Sequence, residues 1–531
     1  MRTPMFCTAA AGVLSIASAS PLKPRNNGTM VYEFTDLTPS PELNWAPCYD
    51  NFTCAYLEVP LDYANSSIGT TNIAFIKKWS QNSSAEDILV NPGGPGGSGV
   101  GYIMANLEVL ETKFGPQYNY VGFDPRGVSR SGPSLDCFPG FPIARNIFDA
   151  EMFTAVDDST ESSLAKSFQR SAAFGKWCTE VLAINGTAQY AGTVAVANDM
   201  LHYIELRAKE LGHPPEEAKL WYYGMSYGSV LGATYAALFP NRIGRLVIDG
   251  VVDSEDYYYN GWRTALETTD EDMKTFYKYC YEAGPELCLF HQNATSPEEL
   301  EKRAIATLES LKKSPIVFAD PATGVAPVIV TWQDVIAIAF SISYSPISGF
   351  PGWDLVLTGL EKGNATLAAI STMKAQILVP PTENFQDSRT LIACIDNAGR
   401  FNTSTFETYE EHIEYLFNQS YYGGPIIGSI VGPACRSVNI YPPESQLFKG
   451  IPSANKTSNP ILFIGNKLDP ITPLSSAKKM SSLFAGSEVI TVDAVGHTTS
   501  GLCSKCLDKY TMAYMADATL PPPNTVFWLQ Y

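Results

Sequence analysis

Trp221-Tyr222-Tyr223-Gly224-Met225-Ser226-Tyr227-Gly228-Ser229 runs a short aromatic strand into G-x-S-x-G and on into the helical pattern Val230 to Leu238. At a strand-to-helix turn of this kind a serine is held in a strained conformation that projects its Oγ above a sheet. Small residues two before and two after it let the backbone bend that tightly. The helix begins at the serine, so the positive end of its dipole faces the reaction centre. In a chain with 40 glycines the pentapeptide alone is a weak signal, and the flanking strand and helix carry the reading.

Outward from this turn, β-rich runs alternate with helical ones. The runs Thr71 to Ile76, Asp87 to Val90, Asn119 to Phe123, Leu220 to Tyr223, Arg245 to Ile248, Ile461 to Ile464 and Glu488 to Val492 include several that are near-continuously apolar. Strands of a parallel sheet buried on both faces look like this. Val194 to Leu211 and Ser229 to Leu238 read as helices, so a doubly wound, mostly parallel α/β sheet is expected. The alternation stops at about Val252 and returns after about Lys449, and the signals between are helical. One is Ser296-Pro297-Glu298-Glu299, an N-cap followed by Pro at the first helical position and Glu at the third, opening a helix to Lys313. The expected organisation is a leader over 1–19, a first core segment over 20–251, a mainly helical cap inserted over 252–449, and the rest of the core over 450–531.

With 45% hydrophobic and 12% aromatic residues the 531-residue chain can bury a large core. Its 54 acidic against 36 basic residues give a net charge of −18, which disfavours nucleic acid and anionic membranes as partners and suits neutral or cationic substrates. The same acidity keeps a secreted protein soluble at mildly acidic pH. Arg2, the apolar run Met5 to Ile16 and Ala17-Ser18-Ala19 read as a secretory leader cleaved after Ala19. Ten N-x-S/T sequons, at Asn27, Asn51, Asn65, Asn82, Asn185, Asn293, Asn364, Asn402, Asn418 and Asn455, agree with secretion and glycosylation. No later window holds the roughly 18 apolar residues of a membrane span. Of 11 cysteines Cys7 leaves with the leader, and disulfides are the default for the rest. Closeness in sequence suggests Cys48 with Cys54, Cys137 with Cys178, Cys280 with Cys288, Cys394 with Cys435 and Cys503 with Cys506, although connectivity cannot be read from sequence. No second C-x-x-C or histidine pair completes a zinc site around Cys503 and Cys506.

A serine nucleophile needs a base, and the base a carboxylate to orient it. Of five histidines, His202, His213, His291 and His412 lie in helical or polar, sequon-bearing stretches and read as surface residues. His497 follows the last apolar run on a loop, where such a fold keeps its base. Asp469, in Leu468-Asp469-Pro470-Ile471-Thr472-Pro473, completes the order Ser226, Asp469, His497; Asp493 is the alternative, nearer in sequence but at a strand end. The oxyanion needs two N–H donors. Tyr227, directly after the serine, supplies one, and Gly94 in Asn91-Pro92-Gly93-Gly94-Pro95-Gly96-Gly97-Ser98-Gly99 the other. That loop lacks the spacing and the Lys-Ser/Thr pair of a phosphate cradle.

Six stretches in order carry a family resemblance: P-L-D-Y (Pro60 to Tyr63), N-P-G-G-P-G-G-S-G (Asn91 to Gly99), G-F-D-P-R-G (Gly122 to Gly127), Y-G-M-S-Y-G-S (Tyr223 to Ser229), V-I-D-G-V-V-D (Val247 to Asp253) and L-D-P-I-T-P (Leu468 to Pro473). From Asn44 to the C-terminus the chain resembles the tripeptidyl aminopeptidase group of α/β-hydrolases, relatives of the prolyl iminopeptidases. The resemblance implies a secreted serine exopeptidase with a helical cap, taking peptides with a free N-terminus and needing no metal or organic cofactor. It departs at G-H-T-T, where Gly or Cys usually follows the histidine, and at Val526-Phe527, where a cysteine is expected. An aminopeptidase must also recognise an ammonium, which a desolvated carboxylate does well. Asp396 and Glu255 are the first candidates, with Asp253 and Asp256 beside the latter and Tyr257-Tyr258-Tyr259 as walls. The rival readings are a carboxylesterase or thioesterase on the same triad, and a catalytically silent binding protein.

Overall fold

A computed structural model describes residues 29–372, 374, 385–401, 403–430, 432–502 and 504–528. The expected leader, Asn27, Asn402 and Cys503 lie outside them. The strands are β1 (Ala46–Cys48), β2 (Phe52–Pro60), β3 (Thr70–Lys78), β4 (Asp87–Asn91), β5 (Asn119–Phe123), β6 (Leu220–Met225), β7 (Ile243–Asp249), β8 (Ile316–Phe318), β9 (Val328–Val330), β10 (Leu462–Leu468), β11 (Glu488–Val495) and β12 (Val526–Trp528). Ten of them form one sheet in the order β1-β2-β3-β5-β4-β6-β7-β10-β11-β12. The first three strands and the β3–β5 pair are antiparallel, and everything from β5 onward is parallel. This is the doubly wound, mostly parallel α/β sheet expected from the alternation of runs, and the α/β-hydrolase fold that the resemblance implies.

Alternate residues of each strand point to opposite faces, and both faces are covered. Leu89, Tyr222, Leu246, Ile248 and Phe463 pack under the helices Thr193–Glu210, Tyr227–Leu238 and Leu474–Ser482. Ile88, Val90, Tyr223, Val247 and Ile464 meet Gly99–Phe114 and Lys505–Asp517 on the other side. Each such Val, Leu or Ile contributes about 1.5–3 kcal/mol by leaving water, which is why the central strands carry almost no polar residues.

Between β7 and β10 the described chain adds no strand to this sheet. It forms helices and the small β8–β9 ribbon around a core of its own that includes Trp332, Trp353, Leu300 and Leu357. Within it Pro297–Lys313 is helical as its cap motif predicts, Ser296 accepting the Glu299 N–H. The Glu299 carboxylate reaches back to Thr295 N–H at 2.7 Å. A second contribution to this layer was not expected: the helices Pro142–Met152 and Glu161–Ala183, from the β5–β6 connection, share a core with residues 391–395 and 427–448.

Disulfides join Cys48 to Cys54, Cys137 to Cys178, Cys280 to Cys288 and Cys394 to Cys435. Of the fifth expected pair, Cys503 with Cys506, only Cys506 is among the described residues. Cys506 lies in the first turn of Lys505–Asp517 with an exposed free thiol. The eight sequon asparagines in the described residues, Asn51, Asn65, Asn82, Asn185, Asn293, Asn364, Asn418 and Asn455, are all exposed. No helix in the described residues is long and apolar enough to cross a membrane. Alkylating the folded, unreduced protein should tag Cys506 while the eight bridged cysteines react only after reduction; peptide mapping that found label on any of the eight beforehand would contradict the pairing.

Candidate active site

Ser226 sits between β6 and Tyr227–Leu238 with φ 54° and ψ −124°. A non-glycine residue at positive φ is strained, and the surroundings must hold it there. Its N–H donates to Asp249 O at 3.0 Å, and its carbonyl accepts the Ser229 N–H at 2.8 Å and the Ser229 hydroxyl at 2.6 Å. Glycine is required on both sides for close approach. A Cβ on Gly228 would lie 2.7 Å from Asn91 O, and one on Gly93 would lie 2.8 Å from Ser226 Cβ and 2.9 Å from Tyr227 N.

His497 lies on the loop after β11, and every backbone N–H around it has an acceptor. Gly496 donates to Leu468 O at 2.9 Å, His497 to Tyr344 O at 3.0 Å, Thr498 to Asp469 Oδ2 at 3.0 Å and Thr499 to Asp249 Oδ1 at 3.0 Å. Asn466 Nδ2 donates to the carbonyls of Gly496 and Thr498 on either side. The imidazole is thus aimed by its backbone. With the proton on Nδ1, it donates to Asp469 Oδ1 at 3.0 Å and Oδ2 at 3.1 Å. Asp469 is fully buried, and burial alone would raise its carboxyl. The His497 charge and hydrogen bond, with the N–H groups of Thr472 and Thr498, outweigh that and hold it below the usual range. Asp493 instead faces Lys467 at 3.5 Å. Of the remaining histidines, His291 and His412 are buried rather than at the surface, His291 stacked on Tyr281 and His412 edge-on to Phe401.

Ser226 opens onto a cavity whose lining includes Gly94, Tyr227, Asp253, Asp256, Tyr257, Trp262 and Tyr344. Neither the Gly94 nor the Tyr227 N–H has an acceptor among the described residues. Asp256 accepts N–H bonds from Arg263 at 2.9 Å and Thr264 at 2.7 Å. Burial raises its carboxyl, those bonds partly offset it, and no cation is paired with it among the described residues. Asp253 and Glu255 both hold Lys479, at 2.7 Å each. Asp396 is not in the lining. It is buried beneath the pocket, accepting from the Thr193 N–H and hydroxyl and from the Tyr257 hydroxyl. Thr193 in turn meets the Tyr227 hydroxyl at 2.6 Å. Among the described residues, the metal-ligating side chains that cluster are Cys137, Cys178 and Asp387, whose sulfurs are already joined.

Four residues near this site escape sequence reasoning. Tyr344 packs its ring edge-on to the imidazole at 4.9 Å, and Asn466 and Asp249 hold the loop ends. Asp272, from the helix Thr269–Ala283, is buried beside Asp469 with neither oxygen hydrogen-bonded among the described residues. Desolvation first, then the Asp469 charge, push its carboxyl up to about 9. Only Asp249, inside a quoted motif, carried a sequence signal.

Two family models match the chain: one described as alpha/beta hydrolase fold over residues 88–335, the other as TAP-like protein over residues 435–526. The serine protease Hip1 of Mycobacterium tuberculosis is 26% identical over 503 residues, covering 90% of this chain and 90% of that one. The tripeptidyl aminopeptidase of Streptomyces lividans is 24% identical over 494 residues, covering 89% of this chain and 84% of that one. Carboxylesterase B of Mycobacterium tuberculosis is 24% identical over 508 residues, covering 91% and 90%.

The Asp272 carboxyl sets a pH dependence. An unfolded aspartate releases its proton near pH 4, whereas the folded state keeps this one to about 9. In that window the folded state binds the extra proton, so the stability from Asp272 is full below pH 4 and is lost as pH rises towards 9. Asp272→Asn, which cannot ionise, should therefore melt with a flatter pH dependence than wild type between pH 5 and 9 in calorimetry. Parallel curves would show that the carboxyl does not hold its proton.

Proposed function

Because the chain belongs to the tripeptidyl aminopeptidase-like α/β-hydrolases, we propose that it is a secreted serine exopeptidase releasing short peptides from free N-termini through an acyl-enzyme. The observation that carries this reading is the cavity at Ser226, which combines two carboxylates with the aromatic walls Tyr257 and Trp262. A substrate ammonium entering it would meet a desolvated carboxylate, Asp256, and two π-faces, all of which favour a cation.

In this mechanism His497 Nε2 takes the proton of Ser226 Oγ as the oxygen attacks the scissile carbonyl. Asp469 stays ionised and steadies the imidazolium through Nδ1. The oxyanion is held by the N–H groups of Gly94 and Tyr227, each such donor being worth about 3 kcal/mol in the transition state. His497 returns its proton to the leaving amine, and the carbon–nitrogen bond breaks. Water then enters by the same general-base route and releases the acyl group, so no metal or organic cofactor is called for. The leader pattern, eight exposed sequons and four disulfides support secretion. The relative named carboxylesterase B keeps an ester substrate as the second reading, since the same residues cleave esters.

Ser226→Ala should cost about a million-fold in turnover with the fold intact, His497→Ala about as much, and Asp469→Asn roughly ten-thousand-fold. Activity of Ser226→Ala within tenfold of wild type would remove the serine from the mechanism. Acetylating the substrate amine deletes its charge and leaves a buried carboxylate without its partner. N-acetylated peptides should therefore be cut at least about a hundred-fold less efficiently than free ones. Asp256→Asn should narrow that gap by slowing only the free peptide, whereas Asp396→Asn, beneath the pocket, should leave it in place. Equal cleavage of both peptides would refute the exopeptidase reading; hydrolysis confined to acyl esters would replace it with the esterase.

A further inference from the structure

Ser226 and His497 belong to segments far apart in the chain, yet proton transfer between them tolerates little misplacement. One buried cluster touches both. Asp249, the last residue of β7, accepts the Ser226 N–H on its backbone carbonyl at 3.0 Å. Its carboxylate accepts the Thr499 N–H at 3.0 and 3.1 Å, the Thr499 hydroxyl, and the Tyr223 hydroxyl at 2.8 Å. Lys113 closes the cluster from behind. It comes from the end of Gly99–Phe114, the helix that starts at the Gly94 loop. Its Nζ lies 3.7 Å from Asp249 Oδ2 and donates to Thr499 Oγ1 at 2.6 Å. Asp249 is 0% exposed and Lys113 4%. The next residue, Gly250, runs so close to the base that a Cβ on it would lie 3.4 Å from His497 Cε1.

Two charges taken out of water are costly to place here, and an apolar pair would pack the sheet as well. What an apolar pair lacks is direction. Asp249 holds Thr499 by two donors at once, and Lys113 holds the same hydroxyl from the other side, so the end of the histidine loop has one position relative to the strand that also anchors Ser226. We propose that Asp249 and Lys113 are a positioning pair for the hydrolytic reaction, setting His497 against Ser226 through Thr499 and the Ser226 N–H. Neither residue lines the cavity, so the pair acts on the chemical step and not on substrate binding. The inference rests on the serine hydrolase reading above.

The test uses the full-length, disulfide-bonded protein with two readouts: the second-order rate of labelling by a fluorophosphonate, which reports the Ser226–His497 geometry without a peptide, and kcat against KM on a free-amine peptide. Asp249→Asn and Lys113→Met should each slow labelling and kcat about a hundred-fold, with KM within about twofold of wild type. Thr499→Val should slow labelling as well, while Thr499→Ser, which keeps both donors, should stay near the wild-type rate. Wild-type labelling by folded Asp249→Asn would overturn the proposal, and so would a loss confined to KM. Should Asp249→Asn fail to fold, the two Thr499 variants decide: slow Val with normal Ser supports the pair, and both normal overturns it. Labelling that persists in Ser226→Ala would instead fell the hydrolase reading, and the positioning role with it.

Discussion

Ser226 is held at a φ that an L-residue avoids, at a cost of about 1–3 kcal/mol, and the rest of the site is arranged to keep it there. The strain is local, but what sustains it is not. β7 supplies the carbonyl for its N–H, the first turn of the following helix returns two bonds to its carbonyl, and the Gly93 loop presses against its Cβ. Ser229 extends the brace by accepting the Val252 N–H at 2.9 Å, where the chain leaves the sheet for the cap. Relaxing the serine would break all of these together. A single strained residue can therefore survive in a cooperative fold, because no one of its supports can yield alone.

Features set by local patterning were legible in the amino-acid sequence. The central strands announce themselves because both their faces are covered, so polar residues are few along them and fall mainly near their ends. The helix at Pro297 announces itself because its cap is chemical and local. Asp469 and His497 follow from chain order, since strands of a wound sheet deliver their loops to one edge. What depends on tertiary surroundings was not legible. Asp396 and Asp256 look alike in sequence. They differ in that Asp396 has Thr193 and Tyr257 around its oxygens beneath the pocket, while Asp256 faces the cavity held mainly by backbone N–H groups. The helices over 142–183 join the cap layer through contacts with residues about 250 positions away, which no periodicity reveals. Cys506 likewise has a near neighbour in sequence and a free thiol in the fold.

Some of the most recognisable motifs do no chemistry. Arg126, in G-F-D-P-R-G, is fully buried and forks onto Asp199 at 2.7 and 2.8 Å. Its remaining donors go to the carbonyls of Pro60, Leu61 and Tyr190, so that P-L-D-Y and G-F-D-P-R-G are two sides of one joint. Tyr63 completes it by donating to Asp199 at 2.9 Å. A buried guanidinium with five donors to place demands a particular set of acceptors, so these residues form a motif for structural reasons.

The cap is tied to the reaction centre as firmly as the sheet is. Tyr344, just past the end of a cap helix, gives His497 both a carbonyl for its N–H and a ring against its imidazole, and a Cβ on Gly496 would lie 2.6 Å from Pro346 Cδ. Thr268 and Thr269 donate their hydroxyls to the carbonyls of Asp469 and Pro470 at 2.6 and 2.7 Å. Two loops that rise from the sheet are thus finished by residues of the inserted layer, the same layer that supplies Asp256, Tyr257 and Trp262 to the cavity. Specificity and rate then share a frame. A substitution that shifts the cap to reshape the cavity also moves the acceptor of the His497 N–H, and its effect on binding cannot be separated from its effect on proton transfer.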